Sequence, residues 1–244
     1  MPQPHTANIC LLGDYSEDVL AHLAISRCLD LAKNSADFPG QINAVWCHTA
    51  SIGSVADFED YDGIWCVPAS PYANTGGVLA VLEMVRTRRI PFLGTCGGYQ
   101  HALIEYAQQV LGIEKADHAE LIPEAESPLI APLACALVEA SEPLRVQPGS
   151  QLHQFYGCEE IVEQYHCSFG LNDSYRSLFE GGPLTFSVLN STNAPRAFEL
   201  GDHPFFIGTA YQPERAALDD RLHPLVAAFF HAAIRHKSAG KNAE

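Results

Sequence analysis

The stretch Ile90–Ala107, IPFLGTCGGYQHALIEYA, runs from an apolar strand through Gly94-Thr95-Cys96-Gly97-Gly98 into an amphipathic helical repeat. That order matches the G-x-nucleophile-x-G elbow, in which a strand turns so sharply into a helix that the central side chain is held exposed. The glycines remove Cβ atoms that would meet neighbouring strands or an incoming substrate. A cysteine placed there faces the unpaired N–H groups and the positive end of a helix dipole, which favour its thiolate. The Gly97 amide becomes one donor of an oxyanion hole. No Gly-Lys-Ser/Thr follows, so the turn is not a phosphate loop, and the glycine pair is too short for a dinucleotide fingerprint.

Working outward, NICLLG, INAVWC and DGIWCVP read as strands, and Glu17 to Ala32, Gly77 to Thr87 and Gly97 to about Leu111 as helices. Strands alternating with helices predict a parallel sheet with crossover connections. From Leu133 to Gly208 the pattern changes to short β-prone runs (ACALVEA, QYHCSFGLN, LTFSVLN, RAFEL, FFIGTAYQ) separated by turn residues, before a closing helix from about Pro224 to Arg235. The expected fold is α/β, a central mostly parallel sheet flanked by helices with a β-rich extension, as a single domain over residues 1–244. The segment IPEAESPLIAPL (122–133) reads as a surface loop flanking the site.

With 14 basic and 29 acidic side chains the formal charge is -15, which repels nucleic acid. No run approaches the roughly 20 apolar residues that span a bilayer. MPQPHTANICLLGDY lacks the features of a leader, so a cytoplasmic protein acting on a small molecule is expected, with a homo-oligomer left open. Eight scattered cysteines predict reduced thiols. Cys10, Cys47 and Cys66 sit in strand-like runs and are expected in the core. Cys96, His118, His166 and Cys167 are all suitable zinc donors, but no C-x-x-C or H-x-x-x-H pair supports a metal site; no metal or other cofactor is expected. His101, His153 and His223 are expected on helix surfaces or loops, His203 in a structural role, and the tail HKSAGKNAE frayed.

The segment IPFLGTCGGYQHALIEYAQQVLGIEKADHAE resembles the nucleophile region of class I glutamine amidotransferases, specifically of the CTP synthase glutaminase domain, and RAFELGDHPFFIGTAYQPE resembles its closing segment. The similarity extends over almost the whole chain without a synthetase region, which reads as a free-standing relative. It implies a flavodoxin-like class I glutamine amidotransferase fold. In that family a cysteine attacks the glutamine side-chain amide, a histidine moves the proton and a glutamate orients the histidine. The resemblance assigns Cys96 as nucleophile, Glu214 as orienting acid, Gln100 and Glu120 as substrate-binding residues, and the amides of Gly97 and Ser70 as oxyanion donors.

The chain departs from the family at the histidine position, which holds Gln212, an amide that does not titrate near neutrality. The family's arginine-bearing stretch reads Gln164-Tyr165-His166-Cys167-Ser168-Phe169, and its Pro-Gly-Gly strand reads Pro68-Ala69-Ser70. Loss of the base and of the carboxylate clamp argues against efficient glutamine hydrolysis. His118 and His166 are candidate replacement bases, Tyr211 a weaker one, and Cys167 a pocket residue able to serve as a second thiol. The expected activity is attack by Cys96 on a small amide or related electrophile. The alternatives are thiol redox chemistry through Cys96 and Cys167, or a non-catalytic binding protein.

Overall fold

The computed structural model describes residues 6–35, 38, 40–125 and 127–240; the first five residues and the last four of the polar tail lie outside them. The first half alternates β1 (Thr6–Leu12), α1 (Leu20–Lys33), β2 (Gln41–Cys47), β3 (Gly63–Cys66), α2 (Thr75–Thr87), β4 (Phe92–Thr95) and α3 (Gly97–Gln109). The second supplies β5 (Ile130–Val146), α4 (Gln151–Tyr156), β6 (Glu160–Leu171), β7 (Leu184–Asn190), β8 (Pro195–Leu200), β9 (Phe206–Thr209) and α5 (Pro224–Gly240).

These strands form one sheet in the order β2-β1-β3-β4-β9-β8-β7-β5-β6. From β2 to β9 the pairings are parallel, and from β9 to β6 they are antiparallel. The β-rich extension is therefore a continuation of the same sheet. Every residue of β3, β4 and β9 is buried, as expected for parallel strands covered on both faces.

The sheet curls back on itself. β6 lies at its far edge from β2, yet the Cys96 thiol at the end of β4 donates to the His166 carbonyl on β6 at 3.5 Å. The Gln212 N–H, just beyond β9, donates to the Gln164 carbonyl at 2.9 Å. The last strand thus closes over the carboxyl ends of the parallel strands, where open α/β sheets hold their ligands.

Local chemistry moves several helix ends. α1 starts at Leu20, three residues after Glu17, and α5 runs past Arg235 to Gly240. α2 starts at Thr75, two residues before Gly77, because Asn74 Oδ1 accepts the Gly77 N–H at 2.9 Å and caps the first turn.

The largest correction concerns α3, whose residues from Gly97 to Ala107 are all buried. Its polar positions from Tyr99 to Glu105 are buried with the rest, so they do not mark a solvent face. Glu105 is paired with Arg86 at 2.7 Å, and His101 places Nδ1 2.8 Å from the Gly97 carbonyl. His101 is therefore a core residue instead of a surface one, and so is His223, whose Nε2 is 3.0 Å from Glu163 Oε1.

Candidate active site

The elbow is strained as its sequence implies. Cys96 holds φ 51° and ψ −104°, a conformation that costs energy in a non-glycine residue and persists only where the surroundings enforce it. The Cys96 N–H is fixed by the Thr209 carbonyl at 2.8 Å. Gly98 allows α3 to lie directly on β3, since a Cβ there would sit 2.1 Å from the Cys66 carbonyl oxygen. A Cβ on Gly97 would come within 3.2 Å of the Ser70 nitrogen, so the two proposed oxyanion amides belong to adjoining backbone. Ala69, at φ 76°, turns the chain to bring Ser70 there.

Cys96, Cys167, Gln100, Ser70, Glu120 and Gln212 line one cleft of about 410 Å³. Alternation along β6 buries Cys167 and turns His166 outward. The thiols of Cys96 and Cys167 are neighbours that influence each other's acidity; Cys96 Sγ donates to the His166 carbonyl at 3.5 Å, and Cys167 Sγ to the Phe169 carbonyl at 2.9 Å. Their acidities split. The Cys167 pKa is lowered, first by the neighbouring Cys96 thiol, whereas that of Cys96 is pushed well up by the same neighbour and by burial. Of the two, Cys167 is the more acidic thiol and the one more readily converted to thiolate.

A side-chain amide reaches the Cys167 sulfur. Gln100 Nε2 donates to Cys167 Sγ at 3.2 Å and to the Phe169 carbonyl at 3.1 Å. Gln100 Oε1 lies 3.0 Å from His118 Nε2, and the Glu120 N–H donates to His118 Nδ1 at 3.1 Å. One tautomer satisfies both contacts, the neutral ring carrying its proton on Nε2. Burial holds His118 in that form, lowering its pKa to about 3. His118 therefore orients Gln100, and among the described hydrogen bonds it touches neither sulfur.

His166, the other candidate base, contributes its backbone carbonyl to Cys96, while its ring is exposed and places Nδ1 2.9 Å from Glu139 Oε1. Tyr211 is sealed in the core, with its hydroxyl 3.0 Å from that of Tyr156 and its ring edge-on to Tyr165. Glu120 lines the cleft and accepts from Ser70 Oγ at 3.2 Å.

Glu214 is fully buried and accepts from Thr95 Oγ1 at 3.4 Å, while its Oε2 has no hydrogen-bond partner. Burial raises its pKa to about 8, so at neutral pH it is a protonated acid. Gln212 Oε1 instead accepts from Arg215 Nη1 at 3.2 Å. Arg215 and Glu139 were not among the residues expected at the site, yet both line the cleft. Arg215 had a signal, since it immediately follows Glu214. Glu139 had none, because it is delivered by a β-bulge at φ 48° inside β5.

No family model matches the chain. It is 32% identical to CTP synthase of Picosynechococcus sp. over 244 residues, covering 95% of this chain and 44% of that protein. It is 30% identical to CTP synthase of Archaeoglobus fulgidus over 242 residues, covering 95% and 45%. The chain thus spans less than half the length of these curated relatives. Among solved structures, the glutaminase domain of Trypanosoma brucei CTPS with bound acivicin matches at TM-score 0.82 and 18% identity over 94% of each chain. A glutamine amidotransferase of Thermotoga maritima matches at 0.55 and 11%, covering 98% of this chain and 99% of that one. Their likeness establishes the fold, and with the alignments to CTP synthase along nearly its whole length the chain belongs to the class I glutamine amidotransferases, as a relative of the CTP synthase glutaminase domain.

Proposed function

We propose that this glutamine amidotransferase relative uses its cysteine site for dithiol redox chemistry, Cys96 and Cys167 cycling between a reduced pair and a disulfide. The observation that carries the reading is the placing of two thiols in one cleft, Cys96 Sγ 3.5 Å from the carbonyl of His166, the residue before Cys167, with their acidities displaced in opposite directions. No histidine ring is bonded to either sulfur among the described hydrogen bonds, and the inherited histidine position offers only an amide.

The chemistry balances with an organic hydroperoxide as oxidant. The Cys167 thiolate attacks the outer oxygen, an S–O bond forms, the O–O bond breaks, and the leaving alkoxide takes the Cys96 proton to become an alcohol. The Cys96 thiolate then attacks the Cys167 sulfenic sulfur. The S–S bond forms and hydroxide departs, taking a proton from solvent to leave as water.

The experiment is stoichiometric oxidation with cumene hydroperoxide followed by peptide mapping. The expected product has lost two hydrogens and contains a Cys96–Cys167 linked peptide. Mapping is required because Cys10 and Cys47 form a second neighbouring thiol pair. Oxidation that leaves Cys96 and Cys167 unlinked defeats the proposal.

A second reading, attack of Cys96 on a small amide, is favoured by the Gly97 and Ser70 amides beside it. It predicts an acyl adduct on Cys96 after incubation with a panel of small primary amides. Absence of any such adduct removes it.

A further inference from the structure

Arg215 lines the cleft and is bonded to neither thiol among the described hydrogen bonds. Its side chain is only 6% exposed, and its guanidinium is aimed by two side-chain carbonyls, Gln164 Oε1 on Nε and Gln212 Oε1 on Nη1, each at 3.2 Å. A cation so deeply placed needs a counter-ion. It has one in Glu139, whose two carboxylate oxygens meet Nη1, at 3.1 Å, and Nη2 in a two-pronged contact. Such a fork matches the planar geometry of a carboxylate.

Glu139 is a poorly anchored occupant. Its side chain is 56% exposed, it rides on a bulge between Val138 and Ala140, and its φ is 48°. Its only other described partner is the exposed His166 ring. The carboxylate thus enters the cleft from its solvent side while Arg215 is held from the protein side.

We infer that Arg215 is the cleft's binding group for the carboxylate of a small ligand, and that Glu139 is a tethered stand-in which that ligand displaces. His166 Nδ1, now on Glu139, becomes a second donor to the incoming group. The inference rests on reading the cleft as a substrate site and narrows its ligand to a small molecule bearing a free carboxylate.

The test is calorimetric titration of the full chain, with all thiols kept reduced, using glutarate and, as its uncharged counterpart, dimethyl glutarate. Glutarate is expected to bind and the diester not. Glu139→Gln, a change at an exposed side chain, is expected to tighten glutarate about five-fold by vacating the fork. Arg215→Met is expected to abolish binding. The idea is overturned if Glu139→Gln leaves glutarate affinity unchanged, if the diester binds as well as the diacid, or if inorganic phosphate binds where glutarate does not. Because binding is read without oxidant, its failure and failure of the dithiol chemistry are separate results.

Discussion

Gln212 accepts a hydrogen bond from Arg215 at 3.2 Å, so the side chain in the inherited histidine position is tied to a cation, and the Glu214 carboxyl two residues on is left with one oxygen unpartnered. This makes Glu214 a pH-dependent liability. Its folded pKa of about 8 lies above that of an unfolded glutamate near 4.3. The folded state therefore holds the proton that the unfolded state releases, and stability falls as pH rises from about 4.5 to 8, by up to about 1.4 kcal/mol per pH unit. Glu214→Gln is expected to flatten that decline and to be the more stable protein at pH 8, read from urea midpoints at pH 5 and pH 8.

Gln212→His returns an imidazole next to a buried carboxyl able to accept its second N–H. The restored base is expected to raise the rate of Cys96 alkylation by chloroacetamide at pH 7 by about ten-fold or more. Peptide-resolved labelling checks it. An unchanged rate means that the glutamine side chain marks a direction from which Cys96 cannot be reached.

Cys167 owes its lowered pKa first to Cys96, and Gln100 adds a donor at 3.2 Å. Cys96→Ala is therefore expected to shift the pH profile of Cys167 alkylation upward, and Gln100→Leu to shift it upward by less. Gln100→Leu also removes the acceptor from the buried His118 N–H, with an expected stability loss of about 1–3 kcal/mol. Shifts that run in the opposite order would place the thiolate's main support on Gln100.

The parallel half of the sheet was legible because its strands are continuous apolar runs and its helices carry turn punctuation. The elbow was legible because glycine has no substitute where backbone approaches backbone. What was hidden depended on curvature. Cys167 lies 71 positions from Cys96 in the chain, and only the curling of the sheet brings β6 over β4. The surroundings of α3 were misread for a related reason: Glu105, His101 and Gln100 look like a polar face, yet each is buried with a specific partner. Periodicity reports where polar residues fall, and it cannot tell water from a buried arginine or carbonyl.

His118 carries an acid sensitivity of the opposite sign to that of Glu214. Its neutral ring donates through one nitrogen and accepts through the other, so a second proton would set an N–H against the Glu120 N–H. The folded pKa of about 3 lies below the unfolded value near 6.5. Its contribution is complete above pH 6.5 and is lost as pH falls toward 3, because the unfolded state takes up the proton first. His101, lowered by burial to about 4 and stacked on His118 at 5.9 Å, acts in the same direction. Double substitution by glutamine is expected to reduce the drop in urea midpoint between pH 7 and pH 4.5 relative to the native chain. A drop of the same size would assign acid unfolding to other groups.

The elbow can be tested for steric need as distinct from backbone strain by comparing two glycines. Gly98 carries no positive φ, but a Cβ there meets the Cys66 carbonyl oxygen at 2.1 Å, and backbone on either side cannot yield without parting α3 from β3. Gly112 has φ 71° with open space around it, so alanine there incurs only the left-handed backbone cost of about 1 kcal/mol. Gly98→Ala is expected to lose about 3 kcal/mol or more by overpacking and to slow oxidation of the Cys96–Cys167 pair, since Cys96 moves with the helix. Gly112→Ala is expected to leave that oxidation rate unaltered. Equal stability losses at the two positions would mean that close approach of α3 to β3 is not what the elbow glycine provides.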